Sequence, residues 1–215
     1  MLLVEDSMTR DIVTLSPDET AATALALCRE RRIRHLPILK EGRVVGLVSD
    51  RDLRSSTPTL GDPERVAALR KVLVEDVMAG EVVTTLPEDP VEQAANMMRE
   101  RKIGSLPVLA GDELVGIITA SDVMDALVYL VGAHEPGSRM EVAVPDRPGS
   151  LAGAAGVFGM CGINIVSAAM GATRGPGEER AGERIVVFRV DTIDTTEVVG
   201  YLQEAGYYVL WPPRS

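Results

Sequence analysis

Two short runs of this chain carry a hydroxyl and a carboxylate at the same spacing. Ser49 stands three residues before Asp52, and Thr119 stands three residues before Asp122. A carboxylate has two oxygens that accept hydrogen bonds from a vicinal diol such as a ribose. A hydroxyl at a strand-to-helix junction, beside free backbone N–H groups, donates to a phosphate. The same spacing also satisfies a helix capping box, in which the two side chains bond each other's backbone and no ligand is needed. Both readings stand at this point.

The surroundings of the two runs differ. Arg32, Arg34, His35 and Arg51 flank the first; the matching positions near the second are Lys102, Gly104, Ser105 and Ser121. Guanidinium groups match phosphate geometry, so the cleft holding Asp52 is expected to prefer the more phosphorylated ligand. Val13, Pro37, Val83 and Pro107 are apolar neighbours that could cover a flat apolar group. Thr14 and Thr84 should line the same clefts.

The elements that position these residues occur twice. Residues 4–53 reappear as 74–123 without a gap. Met8 matches Met78, Pro17 matches Pro87, Leu36-Pro37 matches Leu106-Pro107, and Val45-Gly46 matches Val115-Gly116. Each copy is too small to bury a full core, so the two should pack as a pseudo-two-fold pair with two related clefts. Within a copy, a lead segment runs to an apolar pair and an acidic Pro-containing turn. Apolar spacing then predicts helices over 20–31 and 91–101, through Ala21, Ala24, Leu25 and Cys28 and through Val91, Ala94, Ala95 and Met98. A hairpin follows, turning at Glu41-Gly42 or Gly111-Asp112. A last helix begins near Asp50 or Ser121. Between the copies, 55–62 reads as a polar surface loop and 64–72 as a short helix.

After residue 132 the pattern changes. Gly, Pro and His fall close together in 132–138, which reads as a linker. Then come a strand (140–144), a turn Asp146-Arg147-Pro148-Gly149-Ser150-Leu151 opening a helix, strands at 163–170 and 185–190, a helix (195–205) and a strand (207–211). The order βαββαβ predicts a ferredoxin-like sandwich. The Gly-rich loop 171–182 is expected to be mobile.

Composition excludes several functions. The chain has 215 residues, enough for two compact domains, and its 46% apolar content argues against global disorder. A net charge of -10 argues against nucleic acid or an anionic membrane as partner. No apolar run approaches the roughly 20 residues of a membrane span, and Met1-Leu2-Leu3-Val4, followed at once by Glu5 and Asp6, does not read as a signal peptide. Cys28 and Cys161 are too isolated for a disulfide framework or a zinc site. The two histidines, His35 and His134, join no metal cluster and no catalytic constellation. Cys28 lies seven residues from His35 but on the core face of its helix. The expectation is a cytoplasmic protein that is not an enzyme, with no resident cofactor and no metal.

The repeated run, Gly46-Leu47-Val48-Ser49-Asp50-Arg51-Asp52 and Gly116-Ile117-Ile118-Thr119-Ala120-Ser121-Asp122, follows Ile33-Arg34-His35-Leu36-Pro37-Ile38 and Ile103-Gly104-Ser105-Leu106-Pro107-Val108. This resembles the CBS domain, and two in tandem resemble a CBS pair, or Bateman module, over 1–132 (repeats 1–60 and 71–132). The resemblance implies clefts for an adenosyl ligand: AMP, ADP, ATP or S-adenosylmethionine. Carried onto this chain, the binding residues would be Thr14, Arg34, His35, Pro37, Ser49, Arg51, Asp52, Thr84, Ser105, Pro107, Thr119 and Asp122.

The segment 139–215, beyond a linker at 133–138, resembles an ACT domain through Val142-Ala143-Val144-Pro145-Asp146-Arg147-Pro148-Gly149-Ser150-Leu151 and Gly162-Ile163-Asn164-Ile165. That implies side-by-side pairing and an amino acid at the interface, held by Asp146, Gly149, Ser150, Leu151, Asn164 and Ile165. The whole fold is then α+β: a CBS pair plus a βαββαβ ACT domain. The combination resembles the AcuB-like group of acetoin-utilisation proteins. It implies a homodimeric regulatory sensor acting on an unidentified protein, with a link to acetoin or central carbon metabolism. The competing reading is a ligand-free scaffold for a metabolic enzyme.

Overall fold

A computed structural model describes residues 2–56, 62–173 and 180–212. Most of the expected 55–62 loop and the centre of the 171–182 loop lie outside the described residues. The chain divides into two compact units, 1–126 and 127–215.

In the first unit, α1 (Val4–Ser7) leads to α2 (Ala21–Arg31), the hairpin β1 (His35–Lys40) and β2 (Arg43–Ser49), and α3 (Asp50–Ser55). After α4 (Asp62–Leu69), a single 3₁₀ turn (Val74–Asp76) takes the place of α1, and α5 (Val91–Arg101), β3 (Ser105–Ala110), β4 (Glu113–Thr119) and α6 (Ala120–Leu130) repeat the series. Helix α2 starts where Thr20 Oγ1 accepts the Thr23 N–H at 3.1 Å. It buries Ala21, Ala24, Leu25 and Cys28, and α5 buries Val91, Ala94 and Met98. Each hairpin closes in two residues. Glu41 and Gly42 both have positive φ, the type I′ requirement; in the second hairpin Gly111 has positive φ at the first turn position.

The repeats exchange their lead segments. Val4 N donates to Asp89 O at 2.9 Å, and Thr9 and Ile117 trade backbone bonds at 2.9 and 3.0 Å. Seventy residues on, Val74 N donates to Glu19 O at 2.8 Å, and Ala79 and Leu47 trade bonds at 2.9 and 3.1 Å. Consequently Val4 and Met8 sit in the core of the second repeat, with Leu106, Val108 and Ile118. Val74 sits in the core of the first, with Leu36, Ile38, Val48 and Leu53. Two glycines make room for the exchange. A Cβ at Gly116 would overlap Met8 Sδ, and one at Gly46 would overlap Met78 Sδ.

The second unit is the expected sandwich: β5 (Ser138–Pro145), α7 (Ser150–Met160), β6 (Ile165–Thr173), β7 (Glu183–Val190), α8 (Thr196–Glu204) and β8 (Tyr208–Trp211). Its antiparallel sheet runs β6-β7-β5-β8. Both helices bury an apolar stripe with the sheet's inward residues, in a core that includes Phe158, Phe188, Val142, Val186 and Leu202. The Phe158 and Phe188 rings pack tilted with centroids 4.9 Å apart.

Met8 is only 8% exposed, so it has little freedom to move away from an added methyl. Gly116→Ala is expected to destabilise the first unit by about 1–3 kcal/mol, read from urea unfolding. Adding Met8→Ala should cost less than the sum of the two single changes, because the two positions touch. Strict additivity would mean that the contact does not govern the exchange.

Candidate functional site

Both capping boxes form, and each leaves one carboxylate oxygen over. Asp52 Oδ2 accepts from Ser49 N at 3.0 Å and from Ser49 Oγ at 2.6 Å, while Asp52 N donates to Ser49 Oγ at 3.2 Å. Asp122 Oδ2 accepts from Thr119 N at 2.7 Å and Thr119 Oγ1 at 2.8 Å, with Asp122 N donating to Thr119 Oγ1 at 3.4 Å. Every one of these bonds to carboxylate falls on Oδ2. Among the described residues Oδ1 of each Asp accepts nothing, so capping and ligand binding do not compete. The hydroxyl protons point at carboxylate, so Ser49 and Thr119 hold the Asp rather than standing ready for a phosphate.

Because the lead segments cross over, each cleft is built from both repeats. The Asp52 cleft sets Ser49, Arg51 and Asp52 from the first repeat against Ala79, Lys102, Gly104 and Ser105 from the second. The Asp122 cleft sets Thr119, Ser121 and Asp122 against Thr9, Asp11, Ile12, Val13, Arg32 and Pro37 from the first. The expected grouping of Arg32 with Asp52 is therefore corrected: Arg32 lines the Asp122 cleft, and Lys102 lines the Asp52 cleft. Arg34 and His35 line both. Thr14, Thr84, Val83 and Pro107 are not among the lining residues of either. Thr9 and Asp11 escape the spacing argument, because nothing local says that a lead segment belongs to the other repeat. The one hint is the matched pairs Met8/Met78 and Gly46/Gly116.

The clefts differ in size. The Asp52 cleft measures about 480 Å³ and the Asp122 cleft about 220 Å³. Only the first falls in the roughly 300–1,000 Å³ range of small-molecule sites. It also holds an orphan. Ser105 is fully buried, and its Oγ has no hydrogen-bond partner. A buried hydroxyl left unpaired costs free energy that a ligand acceptor or donor would recover.

Each cleft has one cation on a left-handed residue. Arg32 and Lys102 cap α2 and α5 at φ 55°, ψ 38° and φ 56°, ψ 40°. Glycine is the usual occupant of that position, and a side chain there costs about 1–2 kcal/mol. Strain of this kind collects at functional sites. The pseudo-symmetry breaks at the wall between the clefts, where Arg34-His35 correspond to Gly104-Ser105. A Cβ on Gly104 would lie 2.9 Å from His35 Nε2, so the imidazole needs a glycine beside it. Burial, and next the Arg34 cation, push the His35 pKa below its ordinary 6.5, with Asp50 and Asp52 pulling weakly the other way.

The Cys28 thiol is pushed up to about 11, by burial first and by Asp50 second, so it is protonated at neutral pH and no nucleophile. Among the described residues no cluster of three or more His, Cys, Asp or Glu side chains is placed to hold a metal, and no helix is long and apolar enough to cross a membrane.

In the second unit a hollow of about 530 Å³ opens beside Arg147, Pro148, Gly149 and Ser150, facing Ala205, Gly206 and Tyr207. Gly149, at φ 87°, caps α7 without a side-chain bond. Of the residues anticipated for an amino acid, only Gly149 and Ser150 line this hollow. Asp146 instead pairs with Arg184 at 2.7 Å. The backbone of Asn164 is tied to Asp191 at 3.0 and 3.2 Å, and Ile165 packs on the core. Leu151 is 37% exposed on the first turn of α7.

Residues 4–57 and 74–129 each match the CBS domain family, and 138–205 match the ACT domain family. A crystal structure of AcuB from Vibrio cholerae, assigned to acetoin utilization, is 35% identical, with a TM-score of 0.53 over 63% of this chain and 99% of that one. The CBS domain pair of protein MJ0100, crystallised with 5′-methylthioadenosine and S-adenosyl-L-methionine, is 25% identical, with a TM-score of 0.51 over 63% of this chain and 99% of that one. CBSX2 in complex with AMP is 26% identical, with a TM-score of 0.52 over 60% and 99%. A CBS domain-containing protein of Dictyostelium discoideum is 34% identical over 64% of this chain and 99% of its own length. With its two repeats and its C-terminal sandwich both matched, the chain belongs to the CBS domain family, as a tandem CBS pair followed by an ACT domain.

Proposed function

We propose that this protein is a cytoplasmic regulatory sensor whose CBS pair (1–132) binds an adenosine-containing ligand: AMP, ADP, ATP or S-adenosylmethionine. The observation that carries this reading is the Asp52 cleft, where a carboxylate with one free oxygen stands with the cations Arg34, Arg51 and Lys102, over the fully buried and unpartnered Ser105 hydroxyl in the wall beneath. The carboxylate suits a ribose diol, the cations suit a phosphate or a carboxylate tail, and Ser105 suits a ring nitrogen or a hydroxyl. The ligands crystallised in the similar CBS pairs share the adenosine group. Of the apolar residues offered for a base, Val13 and Pro37 line the Asp122 cleft.

The ACT domain (139–215, after a linker at 133–138) is the second sensing element in this reading. An amino acid carboxylate would sit at Gly149 and Ser150 on the open first turn of α7, beside Arg147. A homodimer is supported by the uncovered apolar face of α6, where Met124, Leu127, Val128, Tyr129 and Leu130 are 38–66% exposed. A ligand that favours one packing of the pair over another would then bias a regulated protein without doing chemistry. The likeness to AcuB favours acetoin or central carbon metabolism as the setting. The rival reading, a ligand-free scaffold, gains no specific observation and leaves the Ser105 hydroxyl unexplained.

A thermal-shift panel of AMP, ADP, ATP, S-adenosylmethionine and the common amino acids tests the reading. Saturation at a hundred times Kd stabilises by about 2.7 kcal/mol, and the shift should shrink in Asp52→Ala and Asp122→Ala. No shift with any adenosyl compound would establish the scaffold instead. Ser105→Ala separates the roles more sharply. It should raise the stability of the free protein by about 1 kcal/mol while reducing the shift with ligand. A drop in both would make Ser105 a packing residue.

The pH response of the free protein follows from His35. The unfolded chain takes up a proton at the ordinary 6.5, while the folded imidazole resists it. Below that value the unfolded state binds more protons, so stability is full above about pH 6.5 and falls as the pH drops through it. His35→Asn should flatten the melting temperature between about pH 7.5 and 5.5. An unchanged profile would place the pH sensitivity elsewhere.

A further inference from the structure

Arg34 and His35 form the wall between the clefts and line both of them. The second repeat contributes no equivalent, because Gly104 and Ser105 occupy the matching positions and Gly104 is packed against the imidazole. Each cleft therefore owns one cation from a helix cap, Arg32 or Lys102, and shares Arg34. In the free protein Arg34 Nη2 donates to Ser121 Oγ at 3.3 Å, on the Asp122 side. One guanidinium cannot close a bidentate fork on two anionic tails at once. Two phosphates approaching the same wall from opposite sides also repel each other.

We propose that Arg34 is a shared clamp that couples the two clefts negatively for anionic ligands, so that one chain holds one phosphorylated nucleotide tightly and a second only weakly. This rests on the reading of the clefts as adenosine sites. Ligand without a phosphate makes no claim on Arg34, and the coupling vanishes for it. The chain then favours a mixed occupancy, one anionic and one uncharged adenosyl ligand, over two anionic ones.

Calorimetric titration of the full chain with AMP and with adenosine tests this, using Asp52→Ala and Asp122→Ala as variants with one working cleft each. Each variant should take one AMP. In the unmodified chain the second AMP should bind about fivefold or more weaker than the variant with that cleft alone predicts. Adenosine should fill both clefts at the single-cleft affinities. Arg34→Ala should weaken AMP in both single-cleft backgrounds and abolish the extra separation; Arg34 is exposed, so the fold tolerates the change. Two AMP steps at the single-cleft affinities, or an Arg34→Ala effect confined to one cleft, would overturn the proposal while leaving the ligand reading intact. Absence of binding by both AMP and adenosine would overturn the ligand reading, and the proposal with it.

Discussion

The exchange of lead segments between the repeats is the constraint on which the rest of this molecule depends. Two methionines reach across a pseudo-two-fold axis and fill the space left by two glycines, Met8 on Gly116 and Met78 on Gly46. Backbone bonds between Thr9 and Ile117 and between Ala79 and Leu47 fix the crossing. Neither repeat owns a complete core. The apolar surface of β1 and β2 is covered in part by Val74, and that of β3 and β4 by Val4 and Met8. Deleting the side chain at 46 and 116 gives up some local strand preference, and the close approach it permits makes the two halves one object.

The clefts inherit their composition from that crossing. A carboxylate carried by one repeat faces a helix cap and strand start carried by the other, so each cleft reports on both halves. The capping boxes hold the carboxylates still before any ligand arrives, an ordering that spares part of the entropic cost of binding. Arg32 and Lys102 are held on strained backbone at the two rims, and Ser105 is buried without a partner. These are local inconsistencies in an otherwise well-satisfied fold, and they gather where a ligand would relieve them.

Much of this was legible in the residues. The gapless repeat, the helical spacing through Ala21, Ala24, Leu25 and Cys28, the two-residue hairpin turns and the βαββαβ order all correspond to elements observed. These signals are local, and local signals survive translation into structure. What stayed illegible was long-range. Spacing along the chain cannot say that Thr9 belongs beside Asp122, because pairing across some hundred residues is decided by packing. For that reason the sequence neighbourhood suggests Asp52 as the partner of Arg32, and the fold places Arg32 beside the Asp122 cleft. The ACT segment shows the same limit: its turn is where the sequence places it, but the Asp146 carboxylate pairs with Arg184, 38 residues away, which no local spacing announces.

The crossing also sets an order of events during synthesis. A ribosome adds roughly 5–20 residues per second, and Thr9 waits about a hundred residues for Ile117. For some 5–20 seconds the nascent chain therefore carries a lead segment with nothing to pair with. Over the earlier part of that interval the first repeat lacks the Val74 that closes its core. The first core, whose residues end at Met78, can close once Val74 and Met78 emerge, whereas the second waits for Val123 and Ala126. What must wait for the second repeat is the lead segment alone, which stays without its strand partner until Ile117 is made.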